Sequence, residues 1–195
     1  MAGKTLNERT KKLIKDAFEE CLIETGKPIE KLTVTEICER AGINRKTFYY
    51  HFDDMESLTL YALQESGRDF GSHTDFVDHP EESISYFISF VFDHKVLYRE
   101  IIHHYGFDIF KQIGFADETI FAMPQSVLKL TSTMSKHAEE DFLLFYCQWF
   151  SEALCDVLYH AIIVGDAKWT KEQITDYAIR IWNASAMPIL GNHGE

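Results

Sequence analysis

The sequence predicts an all-α protein that has an N-terminal three-helix helix-turn-helix domain and a larger C-terminal helical domain. Apolar residues recur at spacings of three and four along most of the chain, and no segment alternates as a half-buried strand does. The 195 residues include only four prolines, so long stretches lack helix breakers. Hydrophobic residues make up 46 % of the chain, which is ample for a buried core and argues against wholesale disorder.

The first helix is predicted from about Glu8 to Thr25. Gly26 and Pro28 follow directly and supply its stop signals. Its apolar face has the spacing of a single helix stripe and consists of Ile14, Ala17, Phe18, Cys21 and Leu22.

The second helix is predicted to begin after Thr33. Thr33 and Glu36 form the T-x-x-E pattern of a capping box, in which each side chain satisfies a backbone N–H group at the helix start. Gly42 ends this helix early, because glycine tolerates the left-handed conformation of a tight exit.

The third helix is predicted to begin after Asn44, a favourable N-cap residue. Phe48 and Phe52 lie one turn apart and are expected to face the core. Arg45 and Lys46 place two cations in the first turn, which the helix dipole disfavours. An external anion such as phosphate would compensate for this.

The remaining chain also has helical patterns. A fourth helix is predicted to begin at Asp53, with Glu56 completing its capping pattern, and to end near Phe70. Glycines and a proline interrupt residues 107–134, which favour no single interpretation. Further helices are predicted to end near Asp93 and His103, to span 137–164, and to run from a cap at Thr170 to about Ala186.

The string LTVTEICERAGINRKTFYYHF, residues 32–52, carries the functional signal. Two short helices joined by a turn with glycine form a helix-turn-helix, whose second helix lies in the DNA major groove. Cations and hydroxyl groups there can contact phosphates and base edges. The predicted DNA-binding residues are Thr33, Thr35, Asn44, Arg45, Lys46, Thr47, Tyr49, Tyr50 and His51.

Over about residues 8–62 the sequence resembles the tetracycline-repressor (TetR) family, through TVTEICERAG and then INRKTFYYHFDDMESL. The resemblance implies a DNA-binding domain at 1–53 and an effector-binding, dimerising domain at 54–195. It also implies that Thr47 and Tyr49 face DNA. The family often has lysine early in the fourth helix, whereas this chain reads Asp-Asp-Met-Glu at 53–56, which puts a phosphate contact there in doubt.

The net charge of −12 by itself argues against nucleic-acid binding. Residues 1–60 carry 10 Lys and Arg against 11 Asp and Glu, and the remainder carries 9 against 20, so the acidity belongs mainly to the C-terminal part. A DNA-facing end on an acidic protein is compatible with this distribution.

The C-terminal part is rich in aromatic residues, which are first of all core and also candidates for an apolar effector pocket. The candidate ligand-binding residues are Phe87, Phe90, Tyr98, Phe107, Phe110, Phe121, Phe145 and Trp149. A surplus of apolar residues on the last two helices predicts a homodimeric four-helix interface built from Leu154, Val157, Leu158, Ala161, Ile162, Ile174, Tyr177, Ala178, Ile181 and Trp182.

Other chemistry has little support. The histidines lack the spacing of paired helical metal ligands, and no cofactor motif, nucleophile motif or phosphate-binding loop is present, so we expect neither a metal, a cofactor nor an enzyme. The four cysteines form no CxxC pair and are expected to be buried thiols. No apolar run is long enough to span a bilayer and no signal peptide is present, so a cytoplasmic protein without membrane contact is expected.

The sequence therefore predicts a bacterial transcription regulator, by default a repressor. It would bind a palindromic double-stranded DNA operator as a homodimer under the control of a small-molecule effector. The alternative is a dimeric interaction or co-activator module of the same fold that binds DNA weakly or not at all.

Overall fold

A computed structural model describes residues 2–73, 75, 79–106, 137–165 and 168–185. Within these ranges the chain is helical and contains no strand, which confirms the all-α prediction. The α-helices in the described ranges are α1 (Ala2–Thr25), α2 (Val34–Ala41), α3 (Arg45–His51), α4 (Met55–Ser72), α5 (Pro80–Asp93), α6 (Lys95–Tyr105), α7 (His137–Tyr159) and α8 (Lys171–Ser185).

The chain folds into two compact units. The first takes in the described parts of Met1–Ser66 and Val96–Ile113, and the second those of Gly67–Lys95 and Gly114–Glu195. This division follows the packing of the chain and not its function. The boundary between a DNA-binding domain at 1–53 and an effector-binding domain at 54–195 stays a prediction.

The first unit is built around the inner face of α1. Ile14, Phe18 and Leu22 are buried, and α1 packs against α2 and α3. Ile37 of α2 and Phe48 of α3 complete this core and are both fully buried. The apolar periodicity of each helix thus defines the face that it buries. α1 begins at Ala2, six residues before the predicted start, and includes Gly3.

The start of α4 differs from the prediction. α4 begins at Met55, and its cap is Asp54 rather than Asp53. The Asp54 carboxylate accepts from the backbone N–H of Ser57 at 2.8 Å, and the Ser57 hydroxyl accepts from the N–H of Asp54 at 3.2 Å. Asp53 and Asp54 each have a polar residue three positions later, Glu56 and Ser57 respectively. The Asp54–Ser57 pair is the one that forms the capping box.

Helix α6 belongs to the first unit from Val96 onward. Leu97, Tyr98 and Ile101 are buried there, and the Tyr98 hydroxyl lies 2.8 Å from the hydroxyl of Ser66 on α4. At its C-terminal end, the Nδ1 atom of His104 lies 3.6 Å from the Glu30 carboxylate.

The second unit combines α5, α7 and α8. α5 packs against α8, where Ile84, Ile88 and Trp182 are buried. The predicted Thr170 cap is confirmed, because its hydroxyl accepts from Gln173 N–H at 3.3 Å while the Gln173 side chain accepts from Thr170 N–H. α7 is followed by a π-helical turn over His160–Val164.

The thiols of Cys21, Cys38 and Cys155 are buried. Among the described segments, every helix is too short or too polar to cross a bilayer.

Phe48→Ala is expected to lower the free energy of unfolding by about 3–5 kcal/mol, because it leaves a cavity where α3 meets the core. Urea unfolding followed by far-UV circular dichroism measures the change. Tyr50→Ala on the same helix removes a side chain that is 78 % exposed and should alter stability by no more than about 0.5 kcal/mol. Equal losses for the two variants would contradict the packing of α3 described above.

Candidate nucleic-acid interface

The start of α2 is held by the predicted capping box. Thr33 Oγ1 accepts from the N–H of Glu36 at 3.3 Å, and the Glu36 carboxylate accepts from the N–H of Thr33 at 2.9 Å. Hydrogen bonds from Lys27 and then from Thr33 lower the pKa of Glu36 from 4.5 to about 2. The box therefore works with an ionised carboxylate at neutral pH.

The turn between α2 and α3 depends on Gly42. Its φ of +65° and ψ of 32° lie in the left-handed region, which residues with a Cβ rarely adopt. The N–H of the next residue, Ile43, donates to the carbonyl of Cys38 at 3.0 Å and completes the helix exit. This turn sets the direction in which α3 leaves α2.

Helix α3 is only seven residues long and starts at a side-chain cap. Asn44 Oδ1 accepts from Thr47 N–H at 2.9 Å and from the Thr47 hydroxyl at 3.2 Å. The Thr47 hydroxyl is thus part of the cap. Phe48 and Phe52 are buried as predicted, so the opposite face of α3 is the one that is presented outward.

The predicted DNA-binding residues lie on the outer faces of α2 and α3. All are exposed except Thr47 and His51, which are half-buried. Of the two tyrosines, Tyr50 is the more exposed, and Tyr49 is about half exposed. Cationic, hydroxyl and imidazole groups are the types that contact phosphates and base edges.

Arg45 and Tyr49 contact each other on this surface. An Nη2 hydrogen of Arg45 is donated to the Tyr49 hydroxyl at 3.3 Å, and the guanidinium carbon lies 5.8 Å from the centre of the Tyr49 ring. The sequence prediction assigned both residues to DNA but missed their pairing. Their spacing of four residues on a helix was the signal that could have shown it.

His51 is held as a neutral imidazole. Its Nδ1 atom is buried without a hydrogen-bond partner in the described structure. Burial and then the positive charge of Lys11 lower its pKa, while the Glu8 carboxylate opposes them. A contact from His51 to phosphate would therefore be an Nε2–H donation from the uncharged ring.

Carboxylates border this surface where α3 ends. Asp53, Asp54 and Glu56 are exposed, and with Tyr49 and His104 they line an open cleft of about 380 Å³. The cleft places negative charge beyond the C-terminal end of α3, at the position where the resemblance puts lysine.

Among the described residues, no three His, Cys, Asp or Glu side chains come together as a metal site.

Comparisons with known proteins agree with this geometry. Residues 16–62 match the family model described as bacterial regulatory proteins, tetR family. The segment that contains α2 and α3 thus matches the TetR family of regulatory proteins. The family consists of non-enzymatic DNA-binding proteins, and this chain has the fold of a DNA-binding transcription regulator.

Solved structures share the fold over nearly the whole chain. One is described as the dihydroxyacetone kinase operon activator DhaS, with a TM-score of 0.68 and 17 % identity, covering 90 % of this chain and 94 % of that chain. Another is a TetR-family transcriptional regulator from Mesorhizobium loti MAFF303099, with a TM-score of 0.64 and 19 % identity, covering 91 % and 96 %. Curated protein sequences provide no match.

All of the predicted DNA-binding residues fall within the matched TetR segment. The predicted ligand-binding residues lie outside it and are distributed over both units. Phe87 and Phe90 are buried in the second unit, and Tyr98 is buried in the first. Phe145 and Trp149 on α7 are exposed, while Phe107, Phe110 and Phe121 lie outside the described residues.

The second unit has an open apolar groove of about 650 Å³ between α7 and α8. Trp149 is 53 % exposed there and Ile181 is 49 % exposed. Of the predicted dimer residues, Leu154, Val157, Ile174, Tyr177, Ala178 and Ile181 line the groove. Leu154, Ile174 and Ala178 are nevertheless buried at the base of the groove, and Leu158 and Trp182 are buried without lining it.

Glu36→Gln is expected to make stability less dependent on pH between about pH 5 and pH 3. The folded pKa of about 2 lies below the unfolded value of 4.5, so the carboxylate stabilises the protein above pH 4.5 and loses this effect as pH falls towards 2. The difference in free energy of unfolding between wild type and variant should therefore shrink on acidification. If the free energy of unfolding falls equally with pH in the wild type and in Glu36→Gln, the ionised Glu36 carboxylate does not stabilise the protein.

Proposed function

We propose that this protein is a cytoplasmic repressor that binds a palindromic operator as a homodimer and is controlled by a small-molecule effector. The observation that carries the proposal is the outer face of α3. Seven residues, held by the Asn44 cap and by buried Phe48, present Arg45, Lys46 and Tyr49 outward within the segment that matches the TetR family.

The groove between α7 and α8 supports a homodimer. A pair of helices in one protomer that exposes Trp149, Tyr177 and Ile181 leaves apolar area that a second pair of helices would cover. A two-fold axis would then place two copies of α3 about one DNA turn apart, ~34–36 Å, as a palindromic operator requires.

Control by an effector is proposed from the aromatic C-terminal part. Phe87 and Phe90 are buried in the second unit, and small-ligand sites are lined mostly by apolar and aromatic side chains of this kind. A ligand bound there would act by favouring one of two arrangements of the dimer that differ in the spacing of the α3 helices.

Repression is the proposed sign of regulation, and activation is the alternative for the same DNA-binding mode. The similar structure DhaS is described as an operon activator, which is a statement about that protein. A transcription assay on the bound promoter decides the sign, because a repressor lowers transcript output and an activator raises it.

The carboxylates beside α3 favour a second candidate function. Asp53, Asp54 and Glu56 oppose the approach of DNA phosphates to the end of α3. A dimeric interaction or co-activator module with weak or absent DNA binding would tolerate this charge.

The purified protein is expected to bind the promoter region upstream of its own gene, with an affinity that falls steeply as salt rises. Fluorescence anisotropy at two salt concentrations measures this. Arg45→Ala and Tyr49→Ala should both weaken binding, because each removes a group from the outer face of α3.

Ile23→Glu is the control for the DNA-binding experiment, since it changes an exposed residue of α1 outside the predicted interface. Binding that is no stronger than to random DNA at either salt concentration would favour the interaction module. If Arg45→Ala and Tyr49→Ala bind the specific DNA as tightly as Ile23→Glu does, the DNA contact lies outside the outer face of α3.

Ile181→Glu is expected to weaken dimerisation by at least about tenfold, because a carboxylate in an apolar interface loses its hydration. Sedimentation equilibrium measures the monomer–dimer constant. Ile23→Glu makes the same change at a residue that is 64 % exposed on α1 and should leave the constant unaltered. A loss of dimer in the α1 variant alone would move the interface away from the groove.

A further inference from the structure

The guanidinium of Arg45 contacts Tyr49 on the surface of α3. Its hydrogen bond and ring contact both go to Tyr49, one helical turn further along α3. A long side chain that is already restrained loses less conformational entropy when it binds. The pair therefore presents the guanidinium in a restricted set of orientations.

Tyr49 is itself supported by the core. Its ring packs edge-on against Phe48, with 5.4 Å between the ring centres and 84° between their planes. Phe48 is fully buried, so the position of Tyr49 follows from the packing of α3. Through this contact, the buried core determines where the Tyr49 hydroxyl and the attached Arg45 lie.

Arg45 occupies the first position of α3, directly after its cap. The N-terminal residues of a recognition helix are those that reach base edges. A guanidinium has five N–H donors in a planar fork, and the bond to Tyr49 uses one of them. The remaining donors match the O6 and N7 acceptors of guanine in the major groove.

Lys46, in the same turn, differs in chemistry. Its ammonium group is a point charge that suits phosphate, whereas planar bidentate recognition favours arginine. The two cations of this turn therefore fit different parts of DNA, one a base and the other the backbone.

We propose that Arg45 reads one guanine in each operator half-site and that Tyr49 is the positioning residue that orients it. This inference rests on the proposed DNA-binding function. It goes further by assigning one base of the operator to one side chain, and by giving Tyr49 a role in specificity beyond a phosphate contact.

The test selects bound sequences from a random duplex DNA library with the full-length wild type, Arg45→Ala and Tyr49→Phe. Tyr50→Phe is the matched control, because it removes the hydroxyl of the neighbouring tyrosine, which is 78 % exposed. Lys46→Ala is the control for a contact to phosphate. Dissociation constants are then measured on the selected duplex and on one in which 7-deazaguanine, which lacks N7, replaces the guanine.

The wild type should select a motif with one guanine per half-site and should lose roughly 5- to 150-fold in affinity when that guanine is changed. Arg45→Ala should lose the preference at that position alone. Tyr49→Phe should reduce the same preference, while Tyr50→Phe keeps it. Lys46→Ala should weaken all sequences in equal proportion.

The inference is overturned if Arg45→Ala selects the same guanine, or if Tyr49→Phe weakens every sequence equally and leaves the guanine preference intact. The second result would make Tyr49 a phosphate contact alone. If the wild type enriches no sequence at all, the proposed DNA-binding function itself fails. If the wild type enriches a motif that these variants do not change, DNA binding stands and only the roles of Arg45 and Tyr49 fail. Circular dichroism of each variant shows that it is folded.

Discussion

The burial of Phe48 is the contact on which the proposed DNA surface depends. A helix as short as α3, seven residues, is not stable by itself, because nucleation costs more than so few hydrogen bonds return. α3 persists because Phe48 is buried in the core of the first unit and because Asn44 caps its first turn. The same aromatic ring supports Tyr49, and Tyr49 holds Arg45. Core packing and the outward presentation of a cation are thus connected through three side chains.

Electrostatics divide this surface into two parts. The first turn of α3 carries Arg45 and Lys46 at the positive end of its dipole, where cations are disfavoured and an external anion would be stabilised. Where α3 ends, Asp53 and Asp54 add negative charge. DNA would therefore be attracted most strongly to the start of α3, which is where base contacts form in a helix-turn-helix.

The two units differ in how far each buries its own apolar helix faces. The first buries the inner faces of α1, α2 and α3 within itself. The second leaves Trp149 and Ile181 exposed in an open groove, so part of its apolar area is uncovered among the described residues. This difference agrees with the proposal that the groove of the second unit is the dimer interface.

The sequence by itself determined the local features, because capping and helix exit depend on residues within about five positions of one another. The box at Thr33, the caps at Asn44 and Thr170, and the left-handed Gly42 were all predictable, as was the inward face of α3. The choice of Asp54 over Asp53 as the cap of α4 is also local, because it depends on Ser57, but the sequence prediction missed it. The tertiary structure assigned most of α6 to the first unit and left Trp149 exposed in the groove between α7 and α8. These outcomes depend on contacts between residues far apart in the chain, and local periodicity shows which residues are apolar but not what covers them.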